Sequence, residues 1–219
     1  MKGEKEMNRE LELAKEKVHI TTERGKVYIH IDNAVITSKN FRGLEKRHPE
    51  DPSRIVNSEG NRNFSVELST EVADVISNFR LEGFDEFPFT VSVKIPKKDA
   101  EDQTPRIFMA LKVSYKYNID QKGNKMPWST NPEINQWSSS GRTDITEETV
   151  GQIDSVYIEK ADLIFTAGRP YTNPMTGKKS LPAYLSQLNY KIKENELNAK
   201  WEQDYVTDGP EEFEGVPFD

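Results

Sequence analysis

Lysine and arginine alternate with aromatic residues at four places in this chain. The groups are Lys39, Phe41 and Arg42; Lys112, Tyr115, Lys116 and Tyr117; Lys125 and Trp128; and Arg169 and Tyr171. Cations at such spacing can follow a run of phosphates while flat rings stack on unpaired bases, at about 1–3 kcal/mol per stacked base. The competing role for any one ring is burial in a core. Phe64, Phe89 and Tyr115 lie in phase with apolar neighbours and are expected inside, whereas Trp128, Trp137 and Tyr171 sit in polar stretches and are expected outside. Lys39, Arg42, Arg62, Lys112, Lys116 and Arg169 are the candidates for phosphate contact, and Phe41, Trp128, Trp137 and Tyr171 for stacking.

Other chemistries lack their parts. There is no Cys, which removes thiol catalysis, disulfides and cysteine zinc sites. The three histidines, His19, His30 and His48, have no partner three or four residues away. Residues 175–180 read MTGKKS and end like a phosphate loop, but Thr172 stands where the first glycine is required, and no strand-to-helix pattern surrounds it. No Gly-x-Ser-x-Gly elbow is present. A metal nuclease needs converging acids; Asp32, Asp154 and Asp162 are available, but no spacing demands it. No enzyme, metal or cofactor is expected.

The charge is unevenly placed. The chain carries 37 acidic and 30 basic residues, a net of −7, and seven of the acids lie in residues 202–219, which hold no Lys or Arg. Residues 1–201 are therefore balanced, which still permits a locally basic face. The end segment, EQDYVTDGPEEFEGVPFD, is broken by two Gly and two Pro and is expected to be a flexible acidic arm. Its aromatic residues give it an anchor, so Glu211, Glu212, Phe213, Glu214 and Phe218 are candidates for binding a basic groove, on a partner or on this chain.

The elements that must position these residues are mostly strands. Residues 1–17 form a charge-mixed leader with no secretory core. Alternation predicts strands over 26–36, with a bend or bulge at Asn33, and over 61–68, 89–95, 106–119, 156–165 and 181–192. Ser69 caps a helix over 69–79 whose Val72, Val75, Ile76 and Phe79 share a face, and a second short helix is expected over 146–153, capped by Asp144 or Thr146. Residues 120–143 read as a long loop rich in Gly, Asn, Pro and Ser, a length that marks a functional or a disordered segment. No run approaches the roughly 18 apolar residues of a membrane span. The sum is a mainly β protein, a small antiparallel barrel or sandwich with two short helices and long loops.

These local patterns resemble the phage-encoded single-stranded DNA-binding proteins built on an OB-fold with an acidic C-terminal tail. The residues that carry the resemblance are Asn40–Gly43, Gly60–Val66, Glu71–Ile76, Gly83–Phe84, Glu147–Asp154, Ile158–Leu163, Arg169–Tyr171 and Ala183–Leu185, together with the tail. Two departures stand out: Asp219 follows Phe218 at the end, and Thr166–Gly168 looks inserted before Arg169. The resemblance implies an OB-fold-like antiparallel barrel over 18–201. It also implies non-enzymatic, sequence-tolerant binding and protection of single-stranded DNA in phage replication or recombination, in the host cytoplasm. The tail is then expected to compete with DNA and to recruit a polymerase, helicase or primase, and a homodimer is compatible with the sequence. The alternative is a replisome or virion protein-interaction module that binds no nucleic acid.

Overall fold

A computed structural model describes residues 17–24, 26–96, 104–128, 130–174 and 176–193. The expected leader over residues 1–17, all but Lys17, which begins the first strand, and the acidic arm over 202–219 lie outside the described residues. The strands are β1 (Lys17–Glu23), β2 (Lys26–Asp32), β3 (Val35–Asn40), β4 (Lys46–His48), β5 (Asp51–Asn57), β6 (Arg62–Leu68), β7 (Val91–Lys94), β8 (Arg106–Val113), β9 (Tyr117–Ile119), β10 (Lys125–Pro127), β11 (Glu133–Ser138), β12 (Gly141–Ile145), β13 (Ile158–Ala167), β14 (Tyr171–Thr172), β15 (Lys179–Ser180) and β16 (Ala183–Ile192). Helix α1 spans Thr70–Asn78 between β6 and β7, and a 3-10 helix spans Val150–Ser155.

The main sheet runs β1-β2-β13-β16-β8-β6-β3, with β7 on β8 and β11–β12 added beside β16. All its ladders are antiparallel except β16 with β8 and β11 with β16. Its curl comes from one bent segment. Residues 28–31 of β2 pair with β13 and residues 35–40 pair with β6, so consecutive stretches of chain join the second strand of the path to its last. No ladder joins β3 to β13 directly. Instead the bend is pinned: Asn33 takes a left-handed φ of 55°, its N–H donates to Asp162 Oδ1 at 2.8 Å, and Ala34 N–H donates to the Ala161 carbonyl at 2.7 Å. Asn is among the residues that tolerate this backbone. The result is the mainly β architecture the alternation predicts, a curled open sheet rather than a closed barrel, compatible with the OB-like fold the resemblance implies.

Inside the curl lie Ile29, Ile31, Phe64, Val66, Leu111, Ile134, Leu163, Phe165, Leu188 and Tyr190, all nearly or fully buried. Helix α1 closes one end. Ser69 accepts the N–H of Val72 at 3.3 Å, and Val72, Ala73 and Ile76 are buried. Val75, expected on the same face, is 43% exposed. It lies one residue before Ile76, so about 100° of helix turn separates the two.

Three expectations change. Residues 120–143 are not structureless, because β11 and β12 extend the sheet there. Their alternation is hidden by Gln136, which takes an inward position and accepts the Tyr190 hydroxyl at 3.0 Å. The strand predicted over 106–119 breaks after Val113, and Tyr117–Ile119 turns into a separate hairpin with β10. Phe41 is not a surface ring. A register shift between Thr37 and Asn40, with Ser38 at a φ of 46°, turns it inward, where it is 0% exposed and stacks on Phe64 at 5.0 Å.

Two outcomes follow from this packing. Phe41→Ala should lower the unfolding free energy by roughly 3–5 kcal/mol in a denaturant titration, as for any large core ring. On the outer edge, His19 and His30 stack at 4.3 Å, and Thr21 Oγ1 meets His30 Nε2 at 2.9 Å. Burial, and secondarily the neighbouring His19, hold His30 below its ordinary 6.5. The unfolded chain therefore takes up this proton first, and stability falls as pH drops below about 6.5. The thermal midpoint should fall between about pH 7.5 and about pH 5.5, and fall less in His30→Gln.

Candidate nucleic-acid interface

Strand pairing lines up one row of outward positions across five strands. Tyr28 pairs with Thr166, Thr166 with Tyr184, Tyr184 with Lys112, and Lys112 with Asn63. Their chain neighbours Ile29, Phe165, Leu185, Leu111 and Phe64 are buried, so alternation turns the row outward. At its centre the Lys112 ammonium sits 5.8 Å from the centroid of the Tyr184 ring. The ring lies against Gly168, where a Cβ would come within 2.4 Å of it. Any side chain at 168 would displace the ring, so glycine there is a requirement of packing.

Two basic and aromatic segments leave this row in opposite directions. Because β8 and β16 run parallel in the register Ala183–Leu111, the residues before 183 lie back along β8, and the residues after 113 run on beyond it. The first segment holds Arg169, which is exposed, and Tyr171, 51% exposed on the β14–β15 hairpin. Lys179 on the same hairpin is engaged with Glu86 and lies over the Phe87 ring. The second segment is the β9–β10 hairpin. Asn131 clasps Lys116 on both sides, accepting its N–H at 2.7 Å and donating to its carbonyl at 2.9 Å. Trp128 N–H also donates to the Lys116 carbonyl, at 3.1 Å, so Lys116 and Trp128 share the hairpin base. Lys125 stands 5.3 Å above the Tyr117 ring, and Trp128 is 45% exposed.

The remaining candidates are placed elsewhere. Arg62 is paired with Glu147 at 2.8 Å and lies over the Tyr115 ring at 5.5 Å. Burial pushes the Tyr115 hydroxyl up to about 12. Arg62 thus closes the sheet margin, and a phosphate would have to displace a carboxylate to reach it. Lys39 donates to the Val156 carbonyl, and burial lowers it from its ordinary range. Arg42 ties the chain after β3 to the 3-10 helix: Asp154 accepts the N–H groups of Phe41 and Arg42 at 2.8 and 3.0 Å, and Arg42 Nε donates to the Gly151 carbonyl at 3.2 Å. Phe41, buried, cannot meet a base. Trp137 is 46% exposed at the edge of a cavity of about 360 Å³, further along the outer face of β16.

Tyr184 and Tyr28 were missed by the sequence reading. Tyr184 reads as in phase with Leu188 and Tyr190, but β16 has a bulge between Leu185 and Gln187 that reverses the phase. The available signal was Ala183 and Leu185 alternating with Tyr184. Among the described residues no cluster of His, Asp and Glu could hold a metal ion, and no helix is long and apolar enough to cross a membrane.

Comparison with known proteins places this geometry in context. No curated protein matches the sequence. Solved structures do. A C-terminally truncated single-stranded DNA-binding protein from bacteriophage Enc34 matches at 11% identity and a TM-score of 0.39, covering 82% of this chain and 97% of that one. The Enc34 protein in complex with ssDNA matches at 10% identity and a TM-score of 0.38, with the same coverage. The single-stranded DNA-binding protein gp2.5 of bacteriophage T7 matches at 14% identity and a TM-score of 0.28, covering 85% of this chain and 100% of that one. The family model of the phage ssDNA-binding domain matches residues 21–211, and the chain belongs to that family.

Proposed function

We propose that the protein binds and protects single-stranded DNA without catalysis and without reading its sequence, in phage DNA replication and recombination within the host cytoplasm. The observation that carries this reading is the outward pair of Lys112 and Tyr184, flanked by the exposed rings of Trp128 and Tyr171. Flat rings need an unpaired base to stack on, which a duplex withholds, and every base offers a π-face, which makes such binding tolerant of sequence. Lys112, Lys116, Lys125 and Arg169 supply the phosphate contacts along the same path. Lys39, Arg42 and Arg62 act at one remove, by holding the loops that border it.

The acidic arm is a second part of the proposal. Its seven acids and penultimate Phe218 suit both competition with DNA for the basic row and presentation to a replication protein such as a polymerase, helicase or primase. The charge asymmetry between residues 1–201 and 202–219 supports this.

A fluorescence titration with oligo-dT tests the interface. Tyr184→Ala should weaken binding about fivefold to 150-fold, the equivalent of one lost stack of about 1–3 kcal/mol. Lys112→Ala should weaken it and reduce the slope of log affinity against log salt by about 1. Tighter binding of duplex than of oligo-dT would contradict the reading. Removal of residues 202–219 should raise the apparent affinity at low salt and abolish capture of the replication partner; unchanged affinity would rule out competition.

A further inference from the structure

Beyond the Tyr184 row, the outer face of β16 continues through Gln187, Asn189 and Lys191 to a cavity of about 360 Å³ lined by Trp137, Lys160, Asp162, Asn189, Tyr190 and Lys191. Five residues of strand separate Tyr184 from Asn189, about 16 Å at the usual rise. Trp137 projects from β11, which pairs with β16 in the register Trp137–Lys191. Its ring is 46% exposed although the strand beneath it is well packed.

The polar groups at the cavity are oriented rather than free to rotate. The indole N–H can only donate, and it meets Asn189 Oδ1 at 3.5 Å. Asn135, itself buried, donates to the same oxygen at 3.0 Å. Two donors on one oxygen fix the Asn189 amide, and its NH2 is left beside the ring without a hydrogen-bond partner among the described residues. The cations here are already matched. Lys160 lies 3.8 Å from Asp162, Lys191 lies 3.5 Å from Glu159, and Arg142, opposite Trp137 on β12, pairs with Glu133 and Asp144. Such a balanced site has little field for a phosphate, but it offers a flat face and a fixed donor.

We propose that this cavity seats one unpaired nucleobase, with Trp137 stacked on its face and the Asn189 amide donating to a carbonyl oxygen or ring nitrogen on its edge. The proposal rests on the single-strand binding proposed above and lengthens that track along β16. It also assigns the seat a different energetic character: binding here comes from stacking and one hydrogen bond, so it is nearly independent of salt, whereas the Lys112 row is salt-dependent.

The test measures affinity for oligo-dT at two salt concentrations in the full-length protein, with a thermal melt of each variant. Trp137→Ala should lower affinity about fivefold to 150-fold and leave the salt slope unchanged, in contrast to Lys112→Ala. Asn189→Asp keeps the oxygen that Trp137 and Asn135 use and removes the donor, so it should weaken binding several-fold with an unaltered melt. Wild-type affinity in Trp137→Ala, with Lys112→Ala still weakened, overturns the seat and leaves the interface standing. Failure of the wild-type protein to bind oligo-dT overturns the interface itself. If Trp137→Ala melts early, Asn189→Asp decides, and wild-type affinity in that variant overturns the seat.

Discussion

The parallel register between β8 and β16 is the constraint on which the surface depends. Ala183 and Leu111 face the core together, so Tyr184 and Lys112 must face outward together. A shift of one residue in either strand would bury the lysine and expose the leucine. The register is itself held from both sides. β6 pairs with β8 along seven consecutive residues, and β13 pairs with β16 along nearly its whole length. Gly168 then admits the Tyr184 ring where any other residue would push it away. The outward row is thus a by-product of core registration.

Electrostatics divides the basic residues into two kinds. Arg62 with Glu147, Arg106 with Glu67 and Lys179 with Glu86 are spent on architecture, pinning margins and loops to the sheet. Lys112 and Lys125 also stand over aromatic rings but pair with no carboxylate among the described residues, which leaves each ammonium open to an anion on its far side. A body with no net charge can attract a polyanion only through such local patches. The placement of the excess negative charge in residues 202–219 then has a physical sense, because it leaves the balance of the body undisturbed.

Much of this was legible in the sequence, and the failures have identifiable causes. The strands at 26–36, 61–68 and 181–192, the bend at Asn33 and the Ser69 cap follow from alternation and capping chemistry. The exposure of Trp128, Trp137 and Tyr171 follows from their polar surroundings. Phe41 was misplaced because its basic neighbours suggested a surface, while the register shift after Thr37 turned it into the core. Tyr184 was missed for the mirror-image reason: the bulge before Gln187 put it out of phase with the rest of its strand. β11 was invisible because Gln136 occupies an inward position, where it serves the Tyr190 hydroxyl. Each error sits where a two-residue period is broken by a bulge or by a buried polar pair, and neither break is written in local composition.

The central claim is that unpaired DNA lies across the outward face of β8 and β16. Photo-cross-linking of oligo-dT to the protein, with the modified residues mapped by mass spectrometry, tests it most directly. The account predicts adducts at Tyr184 and Tyr28 and on the segments carrying Trp128 and Tyr171. Adducts confined to α1, with none on β16, would contradict it.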